Sequence, residues 1–247
     1  MSITSKADWK GLRKAARIAR LTLDLLAREV RPGVTTAELD ASAARLFAQH
    51  GARSAPAMVY GFPGTVLISI NDEIVHGVPG ARAILAGDIV KLDVTVEKDG
   101  YIADAAQSVV VEPASETARR LVACASAAFH AALAVARAGV RVNEIGRAVE
   151  QEVHSHGFTV VEGLTGHGVG RTIHEAPSVP NRYDPRQRDV LTDGLVLTIE
   201  PMISAGSSRM VQGDDGWTLR TRDGSLSAHY EHTLVITRDA PVVLTAA

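Results

Sequence analysis

Residues 31–51, RPGVTTAELDASAARLFAQHG, return in altered form at residues 137–157 as RAGVRVNEIGRAVEQEVHSHG. At a constant offset of 106, Arg31, Gly33, Val34, Glu38, His50 and Gly51 meet Arg137, Gly139, Val140, Glu144, His156 and Gly157, and Leu39 meets Ile145. A duplication of this kind restricts the fold strongly, because both copies must build the same local structure. The stretch WKGLRKAARIARLTLDLLAREV before the first copy repeats apolar residues at spacings of three and four, which is a helical pattern. ETARRLVACASAAFHAALAVARA holds the same place before the second copy. Pro32-Gly33 ends the first helix, and Thr35 with Glu38 has the spacing of a capping box that opens a second, running to about His50-Gly51. Two copies are too few for a solenoid. The expectation is a duplicated helix pair and a pseudo-twofold fold.

A strand-rich region follows each helix pair. TVLISI precedes DIVKLDVTVEKDGYIADAAQSVVVE, in which KDG separates two alternating runs and predicts a β-hairpin. In the second half LVLTIEPMIS and YEHTLVITR read as strands, separated by a Gly- and Asp-rich connection at 205–227. Strands after helices, twice over, indicate an α+β chain. No low-complexity linker divides it, so residues 1–247 are expected to form one domain of two halves, roughly 1–113 and 114–247, with any site at their seam.

Aromatic residues make up only 4% of the 247, so the core must be built from Ala, Val, Leu and Ile. The formal net charge is −2 with no long basic cluster, which gives no footprint for a phosphate backbone and leaves nucleic acid out of the expected partners. The single cysteine, Cys124, fits a reducing compartment. MSITSKADWKGLRKAARIAR lacks the apolar core of a signal peptide. The uncharged run from Leu121 to Ala136 has 16 residues, short of the roughly 20 that span a bilayer. A cytoplasmic protein with no membrane partner is expected.

Four acids interrupt otherwise apolar strands: Asp93 in VKLDVTVE, Asp104 across the hairpin turn, Glu200 in LTIEPM and Glu231 in HYEHT. Asp is depleted in strands, and an unpaired buried carboxylate is costly. Carboxylates facing each other across a hairpin repel unless a cation lies between them. A divalent metal centre gives all four a reason to be there, and one imidazole beside them suits Mn, Fe, Co or Zn better than Mg or Ca. In EGLTGHGVGRTIHEAP either His167 or His174 can complete such a cage. The other, with His76 in INDEIVHGVPG, would line the cavity as a proton donor. His50, His130, His154 and His156 fall at helix or cap positions and are given no site role.

SINDEIVHGVPG, GDIVKLDVTVEKDGYIADAA, TGHGVGRTIHEAP, LTIEPMIS and SAHYEHTLVIT, in this order, resemble the type I methionine aminopeptidases of the pita-bread fold. The chain is similar to the short bacterial form, without a zinc-finger extension, and the 26-residue step from His174 to Glu200 leaves no room for the helical insertion of type II enzymes. The resemblance implies removal of the initiator methionine from nascent chains whose second residue is small. It implies two divalent ions held by Asp93, Asp104, His167, Glu200 and Glu231, with Asp104 and Glu231 bridging. It also implies Glu200 as proton shuttle, His174 at the developing oxyanion and His76 at the peptide nitrogen. Phe62, Ile173 and Trp217 would line the substrate pocket of a monomer that meets its substrates at the ribosome.

The chain departs from the family pattern in places. Ala105 and Ala106 follow the second Asp where a hydroxyl residue is usual, and His229 stands where Gln is common. Pocket positions commonly Tyr, Phe or Cys are Phe62, Ile173, Leu67 and Val75. An aliphatic wall shifts selectivity by about 1–3 kcal/mol per methylene-scale change. Two alternatives therefore stand beside the first reading: an aminopeptidase of the same fold acting on other residues or X-Pro bonds, and a non-catalytic binding module.

Overall fold

The computed structural model of the chain describes residues 1–246. Its helices are α1 (Lys6–Glu29), α2 (Thr36–His50), α3 (Ala55–Tyr60), α4 (Glu116–Val135) and α5 (Val142–Ser155). The strands of the first half are β1 (Arg53–Ser54), β2 (Leu67–Ile70), β3 (Glu73–Val75), β4 (Ile89–Lys98) and β5 (Tyr101–Val110). Those of the second are β6 (Thr159–Val160), β7 (Thr165–Gly168), β8 (Glu175–Pro180), β9 (Val196–Ile199), β10 (Met202–Ser204), β11 (Met210–Gln212), β12 (Leu219–Thr221), β13 (Ser227–His229), β14 (Glu231–Val235) and β15 (Val242–Val243).

The repeat is a structural one. Gly33 and Gly139 take the same left-handed φ, 90° and 91°, to turn one helix into the next. The Gly33 N–H donates to the Ile84 carbonyl at 2.8 Å, and the Ile84 N–H returns to Val34 at 2.8 Å. In the second half Gly139 donates to Leu191 at 2.9 Å, and Leu191 returns to Val140 at 2.9 Å. Each helix pair is thus clasped by the same two hydrogen bonds to the segment that leads into a strand of the main sheet, β4 after Ile84 and β9 after Leu191.

The main sheet runs β1-β4-β5-β14-β9-β7-β8, with β2 on β4 and β15 on β14. The β5–β14 seam joins the halves, placing Glu231 opposite Ala106 and His232 opposite Ala105. On the first half α1 buries Ile18, Ala19, Leu23 and Leu26 with Leu39, Ala43 and Phe47 of α2 over Val90, Leu92, Val94 and Val96 of β4. On the second, α4 packs Leu121, Cys124, Ala125, Ala128, Phe129 and Ala132 with α5 over Leu197, Ile199 and Leu234. Alanines at these contacts let helices approach a sheet closely with few aromatics to fill space. Among the described residues α4 alone is long and apolar enough to cross a membrane. Its packing against the sheet makes it a core helix.

The connection at 205–227 is more ordered than its composition indicates. It holds β11 and β12, and β12 pairs with β3 of the first half, Leu219 opposite Val75. Isolated triplets of this kind are too short to read locally, and their pairing partner is about 145 residues away in sequence.

The two copies differ at the start of their second helices. Thr35 and Glu38 form a complete capping box on α2, whereas Arg141 heads α5 with no side-chain cap although Glu144 occupies the matching third position. Thr35→Ala is expected to cost about 1 kcal/mol, and Arg141→Thr, which restores the box in the second copy, to add about 0.5–1 kcal/mol. Urea midpoints of the two variants against the parent check both signs.

Candidate metal centre

The hairpin β4–β5 sets two of the four acids. Its turn residues Asp99 and Gly100 both adopt positive φ, 54° and 82°, and pair Lys98 with Tyr101. That register puts Asp93 opposite Ala106 and Asp104 opposite Thr95. The carboxylates are therefore diagonal neighbours on one face, two positions out of register, rather than directly opposed as expected. Thr95 fills the place opposite Asp104 and donates to its Oδ1 at 2.9 Å.

The second half brings its ligand candidates from β7, from the residue just past β9, and from β14. Thr198, two residues before Glu200 and so on the same side of an extended chain, donates to Glu200 Oε1 at 2.6 Å. The same hydroxyl accepts from the His167 N–H at 3.1 Å. His167 Nδ1 lies 3.0 Å from the Gly168 carbonyl. A carbonyl only accepts, so Nδ1 carries the hydrogen and Nε2 keeps its lone pair. Nε2 is 3.3 Å from Glu200 Oε1 and 4.0 Å from Asp104 Oδ2. The glycines flanking His167 are required by close approach: a Cβ on Gly168 would sit 2.3 Å from the Ala176 carbonyl, and one on Gly166 2.6 Å from that of Thr198.

The cluster is out of electrostatic balance without a cation. Burial, with Asp104 and Glu200 beside it, drives the Asp93 carboxyl well above its ordinary range. Burial does the same for Glu200 and Glu231, each adding repulsion from neighbouring carboxylates. Asp104 is pushed by burial up to about 6, against the pull of its Thr95 hydrogen bond. His167 is held down to about 4 by burial and by His174. Asp93 Oδ1 and Glu231 Oε1 are buried with no hydrogen-bond partner. Lone pairs that converge with no donor between them are the donor set of a metal ion. Two groups of atoms close enough to share an ion are present, Asp104 with His167 and Glu231, and Asp93 with His229 and Glu231.

The five expected ligands thus come together, and the cluster lines a cleft of about 300 Å³. Phe62, Leu67, Ile173 and Trp217 give it an apolar wall, with Phe62 and Trp217 edge to face at 5.3 Å. His76 and His174 line the same cleft. His76 takes φ 61°, a left-handed conformation uncommon outside glycine. Both imidazoles are held below their ordinary pKa by burial. Val75 lies outside this cleft. It packs with Ile74, Val161 and Met202 and borders an adjoining groove, held there by pairing with Leu219 of β12.

Two residues, Tyr60 and Thr198, escaped the sequence reading of the site, and a third, His229, stood out only as a departure from the family pattern. Tyr60, half exposed at the end of α3, places its hydroxyl 2.6 Å from His174 Nδ1. Nothing in PAMVYGFP signals it, since the contact spans 114 residues. Thr198 and His229 were detectable in principle. Each precedes a site acid by two residues on extended backbone, so each shares that acid's face. His229 is 1% exposed, with neither ring nitrogen hydrogen-bonded.

The metallopeptidase family M24 matches residues 10–238. Methionine aminopeptidase 2 of Bacillus subtilis is 43% identical over 247 residues, covering 99% of each chain. A methionine aminopeptidase of Clostridium perfringens is 42% identical over 234 residues, covering 95% of this chain and 94% of its own. The crystal structure of methionine aminopeptidase from Rickettsia prowazekii, 35% identical, superposes with a TM-score of 0.95 over the whole of both chains. With a divalent-metal donor set at the seam of a duplicated pita-bread fold, the chain belongs to metallopeptidase family M24 and, within it, to the methionine aminopeptidases.

Proposed function

We propose that this protein hydrolyses the first peptide bond of proteins and peptides that begin with methionine, favouring a small second residue. The observation that carries the reading is one cleft with two kinds of wall: carboxylates with His167, and an apolar recess of Phe62, Leu67, Ile173 and Trp217. The recess suits an unbranched apolar side chain. The acidic wall suits a terminal ammonium and the carbonyl beside it. In this reading Asp93, Asp104, His167, Glu200 and Glu231 hold two divalent ions drawn from Mn, Fe, Co or Zn. Bound there, such ions supply Lewis acidity that activates water and polarises a carbonyl.

The remaining steps belong to the chain's own residues. Glu200 Oε1 is engaged by Thr198, which leaves Oε2 to take up a proton and pass it toward the leaving nitrogen. With the Tyr60 hydroxyl donating to His174 Nδ1, the His174 proton resides on Nε2, free to donate to the developing oxyanion. His76, fixed by its strained backbone, donates toward the peptide nitrogen. Phe62 and Trp217 come from different halves and close the recess around the terminal side chain. Nascent chains at the ribosome, met by a monomer, are the substrates that such an exopeptidase serves. The X-Pro alternative draws no support from this recess, which offers an apolar lining of Phe62, Leu67, Ile173 and Trp217 to the terminal residue.

Metal-reconstituted protein should cleave Met-Ala-Ser and fail on peptides whose first residue is charged, read across a panel varied at the first two positions. Asp93→Asn should lower turnover at least about 100-fold, the upper end of what removing even outer-shell partners of a metal does, with an unchanged circular dichroism spectrum. Turnover equal to the parent's would remove the acidic cluster from the mechanism.

A pH dependence follows from the same charges. The raised carboxyls bind protons more tightly folded than unfolded. They therefore stabilise the metal-free fold at low pH and lose that contribution as pH rises through their folded values, about 6 for Asp104. The His167 imidazole, near 4, is already neutral there and does not compete with metal. The rise in melting temperature on adding Mn to EDTA-treated protein should accordingly be larger at pH 7.5 than at pH 5.5.

A further inference from the structure

Two atom groups in the cluster can each share one ion, and they have Glu231 in common. One contains His167. The other contains no residue implied as an imidazole ligand, yet its third member is His229. His229 lies on β13, two residues before Glu231, and is 1% exposed. Its Nε2 is 3.6 Å from Glu231 Oε2 and 3.9 Å from Glu200 Oε2. Both separations exceed a hydrogen bond, so the ring is not explained as a donor to either acid. Donor atoms that sit about 2.0–2.2 Å from a common ion lie about 3.0–4.2 Å from each other, across the angles from cis to trans. The His229–Glu231 distance falls inside that window, and the donor atoms of Asp93, His229 and Glu231 all lie within 4.8 Å of one another.

We infer that His229 is a sixth protein ligand, binding the ion on the Asp93 side of the centre, so that each of two ions receives one imidazole and both share Glu231. This inference rests on the metallopeptidase reading above and extends it. The supporting observation is independent of the five implied ligands: both nitrogens of a fully buried ring lack a partner, as do Asp93 Oδ1 and Glu231 Oε1 in the same group. A Gln amide at this position offers a weaker oxygen donor. An imidazole moves the Asp93 side toward ions that accept nitrogen, such as Co, Zn and Fe, and away from all-oxygen chemistry.

Cobalt(II) loading at two equivalents tests it. Proton NMR of the loaded protein should show two exchangeable, hyperfine-shifted imidazole N–H signals, one each from His167 and His229. His229→Gln should retain one, and its weaker binding step should lose affinity by roughly 10–100-fold in a calorimetric titration. One such signal in the parent protein overturns the inference while leaving the peptidase reading intact, since His167 alone accounts for it. Two signals in both the parent and His229→Gln also overturn it. The absence of any shifted signal, with no uptake of cobalt, would instead overturn the metal centre as a whole. The count in the parent decides the matter even if the variant folds poorly.

Discussion

Four carboxylates that converge on one cleft, three of them buried and Asp93 partly so, cannot all be ionised unless something positive joins them. That constraint organises the molecule. The strands that carry Asp93, Asp104, Glu200 and Glu231 are otherwise lined with Val, Leu, Ile and Ala, so the surrounding medium is poorly polarisable and the repulsion is weakly screened. Two acids come from each half. The attraction of a shared cation therefore acts across the β5–β14 seam, where only two backbone pairs are in register. The apolar cores behind each helix pair supply the rigidity that holds like charges together until a cation arrives.

Duplication explains how such an arrangement is built from ordinary parts. Each half contributes a helix pair clasped by the same two hydrogen bonds to the segment before a strand, and that strand, one place from the seam, leads to an acid. Asp93 follows the clasp residue Ile84 by nine positions, and Glu200 follows Leu191 by nine. Function has been added to this symmetric frame asymmetrically. The glycine-rich segment around His167 and the aromatic contact from Trp217 belong to the second half alone, whereas Phe62, Tyr60 and His76 come from the first.

Much of this was legible in the order of residues, for reasons that are local. Helix limits were marked by Gly33, Thr35, Glu38 and Gly51, whose preferences act over one turn. The hairpin was marked by Asp99-Gly100. The acids stood out because they contradict the strands that hold them, and a contradiction at short range points to a partner at long range. What was not legible depends on register or distance. Asp93 and Asp104 proved diagonal because a two-residue turn, and not the count of residues between them, sets the pairing. Strands β11 and β12 gain their order from β3, far away in sequence. Tyr60 reaches His174 across the fold from a helix of six residues. His229 was visible as a departure from the family pattern, but only burial without partners shows that its ring belongs to the cluster.

In the β2–β4 ladder, Leu67 stands directly opposite Asp93, and both face the same cleft. The apolar wall thus begins a single inter-strand step, about 4.8 Å, from the acidic cluster. Sheet geometry then acts as a gauge: a side chain seated against Leu67 holds its own backbone within one strand spacing of Asp93.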